Sequence, residues 1–200
     1  MHPVPRKSPV TPSPPTFDDA FRLDAADFRR TRLVAFCGVS GAGKTTAIRR
    51  LCQTHRDFRD RDALVASPAE ACAAPGRGRL FVIEEVRQRR DLGAIWTLLR
   101  RDATLLVASH LAPPWFAPFR LAAPIRTYAL DDDWRKIARY LDRRQIPHSD
   151  DAVRAYCRRY GANYFDAELI IERYPDASFD LALAQFERRC RIHLAPARSP

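Results

Sequence analysis

The stretch FCGVSGAGKTTAIRRL, residues 36–51, sets a glycine-rich turn between an apolar run and a segment of helical spacing. Gly38-Val39-Ser40-Gly41-Ala42-Gly43-Lys44-Thr45 satisfies GxxxxGK[ST] in full, after the strand-like LVAFC and before a helix, the context that a phosphate-binding loop requires. Gly41 and Gly43 let the backbone curl so that successive N–H groups point inward, and the helix N-terminus adds its partial positive charge to the same hole. In that geometry Lys44 reaches the β and γ phosphates of a nucleoside triphosphate, and the Thr45 hydroxyl ligates Mg2+. ATP and Mg2+ are therefore the expected cofactors, held by Gly38, Ser40, Gly41, Ala42, Gly43, Lys44, Thr45 and Thr46.

Outward from this loop the pattern alternates between β and α. LVAFC (33–37), ALVAS (63–67), LFVIEEV (80–86), TLLVAS (104–109) and PIRTYAL (124–130) read as strands. Helical spacing is found from Lys44 to about Thr54 and in LGAIWTLLRR, while AEACAAPGRGR reads as a small-residue segment ending in a loop. Strands alternating with helices imply an α/β fold, a parallel-sheet P-loop NTPase core with helices on both faces. After Leu130 the strands stop. DDDWRKIARYLDRRQ, SDDAVRAYCRRY, NYFDAELIIERY and Ser178 to Arg191 are helical patterns, with Asp131–Asp133 and Ser149–Asp151 supplying N-caps and first-turn acids and Gly161 a helix stop.

The chain thus divides into residues 1–30, a P-loop α/β core at 31–130 and an all-helical lid at 131–200. Residues 1–16 hold six of the sixteen prolines and read as a flexible tail. The segment 17–30 sets Phe17, Phe21 and Phe28 among acidic residues and reads as a docking helix or an approach strand.

LFVIEEV ends in two acids on a strand expected beside the phosphate loop, the Walker B arrangement. Glu84 would hold Mg2+ through water, together with Thr45, and Glu85 would orient or deprotonate the attacking water. Ser109 and His110, at the tip of the next strand, are placed to sense the γ-phosphate or hold that water.

With 46% apolar residues the chain can bury a core, and no apolar run reaches the roughly 18 residues that a membrane span needs. The N-terminus shows no apolar leader, so the expected location is cytoplasmic. Cys37, Cys52, Cys72, Cys157 and Cys190 form no CxxC pair and are expected as buried free thiols. The formal charge of +10 favours a nucleic-acid partner. Only three of the 34 basic residues are lysines, which points to a GC-rich coding sequence but does not account for the excess of base over acid. Trp96, Trp115 and Trp134 sit in apolar patterns and are expected in core or lid packing.

The order of these parts resembles an AAA+ ATPase over roughly residues 31–190. The stretch from DDDWRKIARYLDRRQ through NYFDAELIIERY is similar to the lids of replication initiators, clamp loaders and helicase loaders. LLVASHLAPPWF is similar to the segment after the sensor-1 strand in helicase loaders and viral replication helicases. The resemblance implies ATP hydrolysis in a homo-oligomer acting on DNA, or on a DNA-bound protein, in replication, transposition or a mobile element. It also implies an arginine finger, for which Arg120 is best placed and Arg126 next, and channel-facing contacts to nucleic-acid phosphates from Arg87, Arg89 and Arg90. Two departures stand out. Tyr164 and Phe165 occupy the place of the lid arginine, with Arg158 and Arg159 one turn earlier as substitutes, and the first acid of the pair is Glu where Asp is usual.

Two alternatives follow from the same residues. The missing lid arginine and the Glu-for-Asp exchange fit a nucleotide-dependent assembly switch with slow hydrolysis. GVSGAGKTT alone also resembles small-molecule P-loop kinases, although the lid-like helices here are C-terminal and the paired glutamates suit water activation better.

Overall fold

The computed structural model describes residues 22–74, 78–130 and 133–194, with the backbone alone for 191–194. The flexible-tail reading of 1–16, Phe17, Phe21, Asp131 and Asp132 lie outside the described residues.

Five strands form one all-parallel sheet: β1 (Leu33–Cys37), β2 (Ala63–Ala66), β3 (Leu80–Val86), β4 (Thr104–Ser109) and β5 (Ile125–Ala129). Their spatial order is β2-β3-β4-β1-β5. β1 and β4 are buried along their whole length, as continuous apolar runs in a sheet covered on both faces should be. Alternation then divides the side chains. Leu33, Ala35, Cys37, Phe81, Ile83, Leu105 and Val107 face a layer built from α2 (Pro68–Ala73), α3 (Asp91–Arg100) and a 3-10 segment, Pro113–Leu121. Val34, Phe36, Leu80, Val82, Leu106 and Ala108 face α1 (Lys44–Thr54) through Ala47, Ile48 and Leu51. The result is a three-layer α/β/α core.

Two segments differ from the sequence expectation for local reasons. Ser67, expected at the end of the second strand, instead caps α2, accepting from the Glu70 N–H while the Glu70 carboxylate accepts from the Ser67 N–H. That reciprocal cap starts a helix over what read only as a small-residue segment. The other is the 3-10 segment after β4, where Phe116 and Phe119, three residues apart, both enter the core.

Residues 22–30 carry only a 3-10 turn, Leu23–Ala25, and belong to the core rather than to a separate appendage. Leu23 and Phe28 are buried with α1 and β1, and the Phe28 ring meets His55 and Phe58 at 5.0 and 5.4 Å.

The chain ends in α4 (Arg135–Arg143), α5 (Asp150–Tyr160), α6 (Tyr164–Arg173) and α7 (Phe179–Leu194). These helices share their own core, centred on Ile137, Leu141, Val153, Tyr156, Ile170 and Phe179. Ser149 caps α5, and Asn163 caps α6 by accepting from the Phe165 and Asp166 N–H groups. Burial pushes the Tyr156 phenol well above its ordinary value.

The topology fixes where a ligand can sit. β1 leads into α1 on one face, whereas the neighbouring β4 leads into the 3-10 segment on the other. A crevice therefore opens at the carboxyl ends of β4 and β1, the usual ligand position in an open α/β sheet.

Candidate functional site

That crevice is occupied by the loop of residues 38–43. Gly41 and Gly43 hold φ of 74° and 93°, a left-handed conformation that side chains with a Cβ rarely adopt. The carbonyls of Gly38, Val39, Gly41, Ala42 and Gly43 are all engaged, that of Gly43 by the Ala47 N–H. Lys44 Nζ donates to Gly38 O at 2.7 Å and Val39 O at 2.6 Å. The Tyr164 N–H donates to Gly41 O at 3.1 Å, and Lys136 Nζ donates to Ala42 O at 2.9 Å and also to Leu130 O. Among the described residues no acceptor meets the N–H groups of Ser40, Gly41, Gly43 and Thr45. Amides left over in a loop at the start of a helix form a cradle of the kind that can accept an anion.

Next to it, β3 ends irregularly. Ile83 pairs with Val107 and Val86 with Ser109, so β3 carries one residue more than β4 over this interval. Glu84 and Glu85 fill the bulge. Glu85 has φ 62°, which costs a non-glycine residue about 1–2 kcal/mol. Its carboxylate accepts from Arg87 Nη2 at 2.9 Å. With β4 between β1 and β3, the cradle and the two acids are separated by two strand spacings, about 10 Å.

Cradle and acids share one cleft of about 740 Å3. From the core it is lined by Ser40, Gly41, Gly43, Lys44, Thr45, Thr46, Glu84, Glu85 and His110. The structure thus brings together most of the residues singled out in the sequence. Gly38 and Ala42 contribute backbone behind the cradle and do not line the cleft. Ser109 is fully buried: its hydroxyl accepts from the Leu111 N–H at 2.9 Å and lies 3.2 Å from Val86 O, while its carbonyl accepts from the Gly38 N–H. It knits the tips of three strands and does not reach the cleft, so His110 alone of that pair lines it. Arg120 is exposed on the 3-10 segment, also outside the cleft.

The opposite wall comes from the C-terminal helices. Tyr140, Arg143 and Arg144 from the end of α4, with Tyr164, Phe165, Glu168 and Glu172 from α6, complete the lining. Sequence reasoning missed all but Tyr164 and Phe165. The available signal was weak: two arginines at a helix end and two glutamates one helical turn apart. Arg144 donates to Glu168 at 2.8 Å and contacts the Tyr140 hydroxyl at 3.3 Å. Burial, with Glu172 adding like charge, raises the Glu168 carboxyl above its ordinary value. Arg158 and Arg159, expected as substitutes for the lid arginine, do not line the cleft, and Arg159 pairs with Glu187 at 3.2 Å.

The α4–α6 wall is fastened to the cradle. A Cβ on Gly41 would lie 2.1 Å from Asn163 Oδ1, so the cap of α6 rests in the space left by the missing side chain. One methyl there would push the two apart.

Among the described residues no cluster of three or more His, Cys, Asp or Glu side chains could hold a metal alone. Thr45 and Glu84 both line the cleft and carry oxygen donors of the type a hard divalent ion takes. No described helix is long and apolar enough to cross a membrane.

In comparison with known proteins, no family model matches the chain and no curated protein matches it either.

Proposed function

We propose that the chain binds and hydrolyses ATP as an AAA+-like P-loop ATPase, with α4–α7 acting as a lid over the nucleotide. One observation carries this reading: the unsatisfied amides of the 38–45 loop, Lys44, Thr45 and the Glu84–Glu85 pair all meet in one cleft. Lys44 exchanges its two carbonyl acceptors for phosphate oxygens when nucleotide enters. Thr45 and Glu84 would hold Mg2+, which would supply positive charge to offset that of the phosphates. Glu85 accepts a proton from water as the water oxygen bonds to the γ-phosphorus, and the bond to the β–γ bridging oxygen breaks to leave ADP and phosphate.

The net charge of +10 supports a nucleic-acid partner or a protein bound to one. Arg120, exposed and away from its own cleft, suits a neighbour's site in a homo-oligomer. A second reading, the slow assembly switch, is favoured by the pairing of Glu85 with Arg87 and by Phe165 standing at the first turn of α6. Both hold the reactive groups short of a complete site until something is added.

Calorimetry with Mg-ATP tests the binding, and turnover over a protein concentration series, with and without DNA, tests the rest. Saturable heat in the native chain that is lost in Lys44→Ala is the expected result. Absence of any heat in the native chain overturns the proposal, and slow turnover insensitive to DNA but linked to assembly selects the switch.

A further inference from the structure

Beyond Glu85, the chain between β3 and α3 runs Arg87-Gln88-Arg89-Arg90, and all four residues are exposed. The charges there are unequally committed. Arg87 is taken up by Glu85, and the Asp91 carboxylate accepts from the backbone N–H groups of Arg87 and Gln88 at 3.1 and 3.0 Å. Neither Arg89 nor Arg90 has a carboxylate partner among the described residues. Instead the Arg89 guanidinium lies 4.0 Å from the centroid of the Trp115 ring. Trp115, expected from sequence in the core, is 38% exposed, although its neighbours Phe116 and Phe119 are buried. An indole left 38% exposed under the Arg89 guanidinium, with Arg90 next in the chain and without a carboxylate partner among the described residues, presents a charged aromatic surface to solvent.

We infer that Arg89, Arg90 and Trp115 form a binding patch for single-stranded nucleic acid, which, resting on the nucleic-acid reading proposed above, names the strand form of the partner. The chemistry selects it. The guanidinium–indole stack offers a flat π surface on which an unpaired base can lie, over the guanidinium plane or on the ring in its place. Arg90 supplies charge for the adjoining phosphate. In a duplex each base already has neighbours on both faces, so a stacking platform has nothing to take hold of. A peptide partner would call for a pocket, and the patch is open surface.

The test is fluorescence anisotropy with labelled poly-dT and poly-U oligomers and a matched duplex, at fixed low salt, on the full chain. The native protein is expected to bind the single strands more tightly than the duplex, and the two oligomers tell DNA from RNA. Trp115→Ala is expected to weaken single-strand binding about ten-fold, the scale of one lost base stack, whereas Trp115→Phe keeps most of it. Arg89→Ala, which removes only an exposed side chain, repeats the loss in case Trp115→Ala is unstable. Mg-ATP calorimetry on the same variants should be unchanged, so failure of the nucleotide site is read separately. Equal binding of duplex and single strand, or single-strand affinity unaltered in both Trp115→Ala and Arg89→Ala, overturns the inference. So does a native chain that binds Mg-ATP and no oligomer.

Discussion

Lys136 Nζ donates to the carbonyl of Ala42, a residue 94 positions earlier in the chain, at 2.9 Å. The same ammonium reaches Leu130 O at the end of β5 and lies 5.3 Å from the Tyr164 ring. A nearly buried cation thereby joins α4, the 38–43 loop, the sheet and α6 at one point. The C-terminal helices do not merely follow the core in sequence; they hold its loop in shape.

Lys136→Met should therefore destabilise the fold and loosen the cradle together. It leaves two carbonyls without their donor, a loss of about 1–3 kcal/mol. For a chain of this size that corresponds to about 2–4 °C in Tm per kcal/mol. Thermal melts give the stability change, and Mg-ATP titration should show weaker binding in the variant.

Lys44→Ala and Glu85→Gln separate binding from chemistry. The first removes a charge-assisted contact to phosphate and should weaken Mg-ATP binding by about 100-fold. The second keeps shape and binding but removes the proton acceptor, so turnover should fall about 10²- to 10⁴-fold. Normal turnover in Glu85→Gln would show that another group activates the water.

Gly41→Ala meets two obstacles: a φ of 74°, which costs a Cβ-bearing residue about 1–2 kcal/mol, and the collision with Asn163 Oδ1. Asn163→Ala loses the α6 cap, at about 1 kcal/mol. Because deleting Oδ1 also vacates the space a Cβ needs, the double variant should lose less than the sum of the two, by about 0.5–3 kcal/mol. Urea denaturation of the four proteins closes the cycle.

A pH dependence follows from Asp24 and Arg50, which tie the 22–30 segment to α1. Hydrogen bonding from Arg50 holds the Asp24 carboxyl below its ordinary value of 3.8. A depressed carboxylate stabilises the fold above its unfolded value, and that contribution is lost as pH falls through the lower folded value. Arg50→Ala should thus be less stable than the native chain at pH 7, and the gap should narrow as pH falls below 3.8, as read by urea titrations across that range. A constant difference across that range rules the pairing out as its cause.

What could be read in the sequence was what local spacing dictates. Runs such as LVAFC and TLLVAS have one outcome in a sheet covered on both faces, and Lys44–Thr54 starts and stops where its glycine and apolar pattern require. That Lys44, Thr45 and the two glutamates would face one cleft was legible for the same reason. The far wall of the cleft was not, because Arg144 and Glu168 meet only after two helices and a capped turn have folded between them. Ser109 misled because a polar tip residue can serve either a ligand or its own turn, and here it bonds its neighbours. Trp115 misled because periodicity counts it with Phe116 and Phe119, whereas the tighter 3-10 turn buries those two and leaves it outside.

The extra residue in β3 has a mechanical consequence. Between the anchored Ile83 and Val86, Glu84 and Glu85 occupy a stretch that no strand pairing holds in place. A change of backbone conformation at Glu84 and Glu85 would therefore leave every rung of the sheet beneath them closed. Such a swivelling point on a rigid blade would let a carboxylate change its reach without disturbing the frame that carries it.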